Sequence, residues 1–130
     1  VIHDLVRPNG LILSPDGSTL YVADNGAKKL FAYEVNLPGQ PTNPKPFSAM
    51  GPDLGGGCDG MSIDALGRVY ATGDEGVYIF NPDGTQADLI ETPERPSNCT
   101  LAPDGRTLYI TARTSLYRTI LIPVLPGQGE

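Results

Sequence analysis

Short apolar runs separated by turns rich in glycine and proline follow one another along the whole chain. Each run has the length of a β-strand, and Pro, Asp and Gly set the backbone angles that tight turns need. The stretch RPNGLILSPDGSTLYVADN at residues 7–25 shows the unit, in which an apolar run, a turn and a tyrosine-bearing run succeed one another. Versions of it recur as CDGMSIDALGRVYATGD at residues 58–74 and SNCTLAPDGRTLYITAR at residues 97–113. The chain is therefore predicted to be an all-β repeat protein.

Strands are predicted wherever such an apolar run lies between two turn signals. The continuous apolar character of GLILS at residues 10–14 predicts burial on both faces. Residues 36–46 are rich in proline and polar residues and are predicted to form a surface loop. The predicted strands are residues 1–6, 10–14, 19–23, 29–35, 46–50, 61–63, 68–72, 76–80, 87–92, 99–102, 107–111 and 115–121.

Four strands in each round, with a period of roughly 37 to 50 residues, are typical of a β-propeller blade. The predicted blades cover residues 1–36, 45–81 and 87–121, and residues 123–130 are a predicted C-terminal tail. Three blades do not close a ring, which takes about four to eight. Blades without neighbours would expose apolar surface and strand edges. The chain is therefore predicted to be half of a propeller, completed by another polypeptide, a second copy of this chain or a cleaved segment.

Composition narrows the classes of partner. The formal net charge of −6 disfavours nucleic acid and anionic membranes, which both favour a basic surface. No apolar run approaches the roughly 18 residues of a membrane-spanning helix, and the compartment stays open between cytoplasmic, periplasmic and secreted. Cys58 and Cys99 lack the spacing of a zinc site and are predicted to be partly buried thiols. The single histidine, His3, has no nucleophile motif near it, which argues against a catalytic triad.

Two polar residues occupy equivalent positions in the first two copies of the unit. Asn9 and Asp59 stand at the same distance before their turns, and each precedes a glycine. The inner strands of a propeller begin around its central channel, so these residues are expected to converge there. An amide oxygen and a carboxylate oxygen form a pair suited to Ca²⁺, Mg²⁺ or Mn²⁺. Asn-Gly and Asp-Gly are also ordinary turn dipeptides, so a purely structural role stays open at this point.

The three stretches, extended to CDGMSIDALGRVYATGDEGVYIFNPDG and NCTLAPDGRTLYITARTSLYR, closely resemble the C-terminal half of the SMP-30/gluconolactonase/luciferin-regenerating-enzyme family. Members of that family are six-bladed propellers with one divalent cation in the channel, and many hydrolyse lactones. The resemblance implies half of a six-bladed propeller, in which Asn9 is a metal ligand and Asp59 is both a ligand and the general base. It also implies one divalent cation, Ca²⁺ first and Zn²⁺, Mg²⁺ or Mn²⁺ as alternatives, and a lactone or sugar-acid lactone as substrate.

Two parts of the family pattern are missing from this sequence. One is the segment with the glutamate ligand of the first blade, and the other is the segment with the channel asparagine of a middle blade. Asn98 lies one residue nearer to its turn than Asn9 and Asp59 do. Asn98 and Arg113 are candidate substrate-binding residues. The first hypothesis is a metal-dependent lactone hydrolase, or the C-terminal part of one. The alternatives are a non-catalytic propeller fragment that serves as a binding or assembly module, and a strictosidine-synthase-like enzyme of the same architecture.

Overall fold

The computed structural model describes residues 1–36, 39–49 and 57–121. All regular elements in these ranges are β-strands, and they contain no helix long and apolar enough to cross a membrane. The predicted tail at residues 123–130 lies outside them. In chain order the strands are β1 (Pro8–Leu13), β2 (Thr19–Asp24), β3 (Lys29–Glu34), β4 (Thr42–Ala49), β5 (Met61–Ile63), β6 (Val69–Thr72), β7 (Gly76–Phe80), β8 (Gln86–Glu91), β9 (Pro96–Leu101), β10 (Thr107–Ala112) and β11 (Ser115–Ile120).

The strands form three antiparallel sheets, each corresponding to one propeller blade. The first blade has the order β1-β2-β3-β4, the second β5-β6-β7-β8, and the third β9-β10-β11. Consecutive strands are neighbours in every sheet, because the short Pro-Asp-Gly and related turns join strands that pair directly. The prediction of an all-β chain made of propeller blades is confirmed.

The apolar cores lie between the blades. The first core joins the first two blades and consists of Tyr21, Ala23, Leu30, Cys58, Met61, Val69, Ala71, Tyr78 and Phe80. The second joins the second and third blades and consists of Tyr70, Val77, Ile79, Cys99, Leu108 and Ile110. Successive strand residues point to opposite faces of a sheet, so the second blade contributes to both cores. Each blade therefore depends on its neighbours for burial.

The sheets group the strands differently from the sequence repeats. β4 pairs with β3 as the outer strand of the first blade, and β8 pairs with β7 as the outer strand of the second. The predicted loop over residues 36–46 is wrong from Thr42 onwards, where β4 begins. β4 is an edge strand that pairs on one side only, which is where sheets accommodate prolines such as Pro44 and Pro46.

Two further predictions are also wrong. One placed a strand at residues 1–6, and the other buried both faces of the strand at residues 10–14. Residues 1–6 form no strand. By their place in the repeat they correspond to the outer strands β4 and β8, and a strand there needs a preceding sheet to pair with. β1 is not buried on both faces either, since Leu11 is 61% exposed and Leu13 is 48% exposed. No blade among the described residues covers that face.

Asp24 holds the segment before β1 in place. Its side chain is 2% exposed. One carboxylate oxygen accepts hydrogen bonds from the backbone N–H groups of Arg7 (2.8 Å) and Ala27 (3.1 Å), and the other accepts one from Val6 (2.7 Å). Burial alone would raise the pKa of Asp24, but these hydrogen bonds outweigh burial and lower the pKa below its ordinary value of 3.8.

We expect Asp24→Asn to lower the free energy of unfolding by about 1–3 kcal/mol at pH 7, because an amide has one acceptor oxygen for hydrogen bonds that use two. The folded-state pKa is lowered, so the carboxylate stabilises the protein above the unfolded-state pKa of about 4. That stabilisation is lost as the pH falls through the folded-state pKa. Denaturant unfolding from pH 7 to pH 2 should therefore show the difference from wild type shrinking.

The exposed Asp4 provides a matched control, since Asp4→Asn makes the same change of charge near the same segment. Its free energy of unfolding should stay within about 0.5 kcal/mol of wild type. Equal effects of the two substitutions, or a difference for Asp24→Asn that does not depend on pH, would contradict the assignment.

Candidate metal and catalytic site

The inner strands of the three blades begin next to one another. Asn9 Nδ2 donates a hydrogen bond to Asp59 Oδ1 at 2.6 Å and so joins the first blade to the second. The backbone N–H of Gly60 donates to the carbonyl of Ser97 at 2.9 Å and joins the second blade to the third. The structure thus brings Asn9 and Asp59 together across a separation of fifty residues, |i−j|=50. The equivalent positions of Asn9 and Asp59 in the sequence repeat predict this convergence.

The glycines after Asn9 and Asp59 allow this close approach. A Cβ atom on Gly10 would overlap with the carbonyl oxygen of Asp59, and a Cβ atom on Gly60 would overlap with the side-chain oxygen of Asn98. Neither glycine has a positive φ, and Asn9 and Gly10 lie within β1. Asn9-Gly10 is therefore not a turn dipeptide. Gly10 and Gly60 are needed because a neighbouring inner strand occupies the space of their side chain.

Asn98 lies beside Gly60 although it is out of step in the sequence. β9 is bulged against β10, where Asn98 pairs with Thr111 but Pro96 pairs with Ala112. The bulge precedes Asn98 and leaves the count from Asn98 to its turn unchanged, so Ser97 rather than Asn98 takes the repeat position of Asn9 and Asp59. The amide oxygen of Asn98 accepts a hydrogen bond from the backbone N–H of Cys99 at 2.9 Å. Asn98 is thus a neighbour of the Asn9–Asp59 pair whose oxygen already has a partner.

Thr72 is a site residue that the sequence reasoning missed. Its hydroxyl donates to the carbonyl of Gly60 at 2.8 Å and accepts from the backbone N–H of Asp59 at 3.3 Å. Thr72 is fully buried at the end of β6. Asn25 Nδ2 of the first blade also donates to the carbonyl of Cys58 at 3.2 Å. The backbone around Asp59 is thereby fixed from more than one blade, and the only sequence signal was a polar residue closing the apolar strand VYAT.

The remaining candidate residues are distributed as follows. Arg113 occupies the turn between β10 and β11 and lines a depression together with Asp59. His3 is exposed. Cys58 and Cys99 are free thiols, as predicted, but more fully buried than expected, and burial raises the pKa of both to about 12. Both cysteines are therefore protonated at neutral pH and poor nucleophiles.

The donor types at the Asn9–Asp59 pair fit a hard divalent cation. Residues 1–36, 39–49 and 57–121 contain no group of three or more His, Cys, Asp or Glu that could hold a metal. Within the same ranges, the Asn9 amide oxygen and the Asp59 Oδ2 atom accept no hydrogen bond. Carboxylate and amide oxygens are the ligands that Ca²⁺ and Mg²⁺ take. Two protein oxygens are a minority of the roughly 6–8 that Ca²⁺ takes, so water and other groups would have to supply the rest.

Residues 1–114 match the family model described as the SMP-30/Gluconolactonase/LRE-like region. The chain belongs to this family. The gluconolactonase of Zymomonas mobilis is 39% identical to this chain in an alignment of 125 positions, which covers 88% of this chain and 35% of the relative. This family member thus spans about a third of the length of that relative.

Two solved structures of related proteins have the same fold as this family member. A gluconolactonase from Xanthomonas campestris superposes with a TM-score of 0.84 at 34% identity, over 93% of this chain and 40% of that one. Regucalcin from Agrobacterium tumefaciens, a calcium-binding protein, superposes with a TM-score of 0.72 at 27% identity, over 83% of this chain and 38% of that one. These likenesses agree with the resemblance drawn from the sequence motifs.

We expect Gly10→Ala to lower the free energy of unfolding by about 3 kcal/mol, because its Cβ atom would displace the backbone of Asp59. Gly17→Ala is the control, since Gly17 has φ +75° but open space around its Cβ position, so that this variant carries backbone strain without overlap. Its cost should be about 1 kcal/mol. Thermal or denaturant unfolding measures both variants, and a Gly17→Ala cost equal to or above that of Gly10→Ala would contradict close packing of the inner strands.

Proposed function

We propose that the chain is the C-terminal part of a metal-dependent lactone hydrolase, with Asp59 as the general base. The observation that carries this proposal is the hydrogen bond between Asn9 and Asp59, which joins two blades and leaves one carboxylate oxygen of Asp59 without a hydrogen bond from the described residues. The match to the family and the likeness to gluconolactonases support it. The gluconolactonase relatives favour one class of ester bond, the cyclic ester of a sugar acid.

Hydrolysis of a lactone requires water to attack the carbonyl carbon and the ring oxygen to leave. Asp59 would accept the proton of that water on Oδ2 and return it to the ring oxygen as the ring C–O bond breaks, while its Oδ1 atom stays bonded to the Asn9 amide. Asn9 thereby orients the carboxylate, and Thr72, through its contact with the Asp59 N–H, holds the backbone from which the side chain extends. A divalent cation held by Asn9 and Asp59 would polarise the lactone carbonyl as a Lewis acid. A base fixed on both sides loses little entropy when it reaches the transition state.

The functional protein, in this proposal, contains further blades that pack on both outer faces of the described ones. On the first blade, Leu11 and Leu13 are exposed next to each other along one face of β1. On the third blade, Leu116 is 69% exposed and Ile120 is 54% exposed along one face of β11. Arg118 lies between the two on that face of β11, but exposed large apolar side chains that share a strand face favour a covering partner. The added blades would also bring the remaining ligands to the channel.

We expect Asp59→Asn to lower kcat by about 10²–10⁴-fold, the usual contribution of a general base, with substrate turnover followed by acid release. The free energy of unfolding should change by less than about 1 kcal/mol, because asparagine retains the acceptor oxygen for Asn9.

Asp64 of the same blade is the matched control for this substitution. Its carboxylate is bonded to Arg68 Nε at 2.6 Å and to the Tyr70 hydroxyl at 3.1 Å, close to the turn between β5 and β6. Asp64→Asn should lower the free energy of unfolding by about 2 kcal/mol and leave kcat unchanged. Full turnover by Asp59→Asn would overturn the assignment of the base, whereas a wild-type protein that hydrolyses no lactone would favour the non-catalytic assembly module.

Metal binding by the same pair is tested separately from activity. Titration calorimetry of the intact protein with Ca²⁺ should show Kd raised at least about tenfold by Asn9→Ala, because an oxygen ligand is removed. Asn81→Ala is the control, since Asn81 lies in an exposed turn and bonds the Thr85 hydroxyl. An unchanged Kd in Asn9→Ala would rule out ligation by Asn9, and the same titration with Mg²⁺, Mn²⁺ and Zn²⁺ ranks the cations.

A further inference from the structure

A depression of about 280 Å³ opens beside Asp59. It is lined by Asp59, Arg95, Pro96, Ser97 and Arg113, so the candidate general base shares one space with two arginines. The chain as a whole carries a formal net charge of −6, which repels anions in general. A pair of cations at this position therefore opposes the overall charge of the chain.

Arg113 is held in a backbone conformation that its side chain does not favour. The turn between β10 and β11 consists of Arg113 and Thr114, since Ala112 pairs with Ser115 across it. Arg113 has φ +49°, in the left-handed region where Gly and Asn are the usual residues. Among the described residues the Arg113 guanidinium forms no ion pair and no hydrogen bond. A strained residue with an uncommitted cationic group beside a candidate base points to a ligand contact.

Arg95 forms the other side of the depression. Its Nε atom lies 2.8 Å from Asp74 Oδ1, and this ion pair fixes the orientation of the guanidinium. A guanidinium has five N–H donors in a planar fork, so one ion pair leaves donors for a second anion. The Ser97 hydroxyl lies in the same depression and is 3.2 Å from the Thr111 hydroxyl. The lining thus contains two cations and a hydroxyl next to the reacting end of the site.

Glu94 is the anion that competes for Arg113. Hydrogen bonds from Ser115 and Tyr117 lower the pKa of Glu94, and the charge of Arg113 lowers it further. The carboxylate of Glu94 accepts the Tyr117 hydroxyl at 2.6 Å. Glu94 therefore lies near enough to act on Arg113 electrostatically but is bonded to another partner, so the guanidinium keeps its donors for a ligand.

We propose that Arg113 and Arg95 form a subsite for an acidic substituent on the lactone, a carboxylate, phosphate or sulfonate, so that the preferred substrates are anionic sugar lactones. This inference rests on the proposed lactone hydrolysis at Asp59 and deepens it by naming the substrate class. Planar guanidinium groups bind such oxyanions through two parallel N–H···O hydrogen bonds. The substituent is bound at the two arginines and the ring ester lies at Asp59, so the arginines set specificity while Asp59 does the chemistry.

The test compares 6-phosphogluconolactone with the neutral gluconolactone in the intact protein. Arg113→Asn removes the charge and suits the positive φ, so folding is preserved. KM for the phosphorylated lactone should rise about tenfold, the loss of one charge-assisted contact, and KM for gluconolactone should change less than about twofold. Arg106→Asn removes the same charge from the turn at the other end of β10 and should change neither KM.

A wild-type protein that shows no preference for the phosphorylated lactone would overturn the inference, as would an Arg113→Asn variant that raises both KM values equally. Binding of inorganic phosphate, measured by titration calorimetry, separates this inference from the proposed function. If neither lactone is hydrolysed, the proposed function fails, and the subsite stands only if Arg113→Asn weakens phosphate binding while Arg106→Asn does not. Phosphate binding that is equal in all three proteins would overturn the subsite.

Discussion

The close approach of the inner strands is the contact on which the rest of the structure depends. Gly10 lies against the carbonyl of Asp59, and Gly60 lies against the side chain of Asn98. The first and second blades therefore each place a glycine, which has no Cβ atom, against the following blade. Only this approach brings the Asn9 amide to 2.6 Å from the Asp59 carboxylate. The same contact that packs the blades therefore also assembles the candidate site, which is preorganised by the fold rather than by a flexible loop.

The candidate base lies on the blade that is best supported. The second blade contributes to both cores, and all residues of β6 and β7 are buried. The first and third blades each have one covered face and one exposed face. Asp59 precedes the inner strand of the second blade, and hydrogen bonds involving Asn25, Thr72 and the Gly60–Ser97 backbone pair hold its surroundings from all three blades. The position of the second blade between the other two thus accounts both for the burial of its core residues and for the fixed position of Asp59.

Repeat and turn patterns predicted most of this fold. The wrong predictions concern features that depend on which strand lies next to a residue in space. The segment GVYIF predicted β7 because its apolar run and flanking turns are local signals. Pro44 and Pro46 predicted a loop, yet they lie in β4, an edge strand that pairs on one side only. Asn9 and Asp59 were found because equivalent positions in a repeat converge in space. Thr72 and Arg95 were not, because their importance depends on which strand end lies beside them, and sequence spacing does not encode that distance.

The identity of residue 9 decides what the pair can do. Two carboxylates at this separation would share a proton. The shared proton would occupy oxygens that could otherwise bind a ligand. With an amide at residue 9, the pair carries one negative charge, and the Asn9 N–H group bonds the Asp59 Oδ1 atom. The Asp59 Oδ2 atom and the Asn9 carbonyl oxygen then stay available to a cation or a water molecule. Asp59 therefore needs a neutral hydrogen-bond donor as its partner, and an asparagine preceding a glycine provides one without moving the inner strands apart.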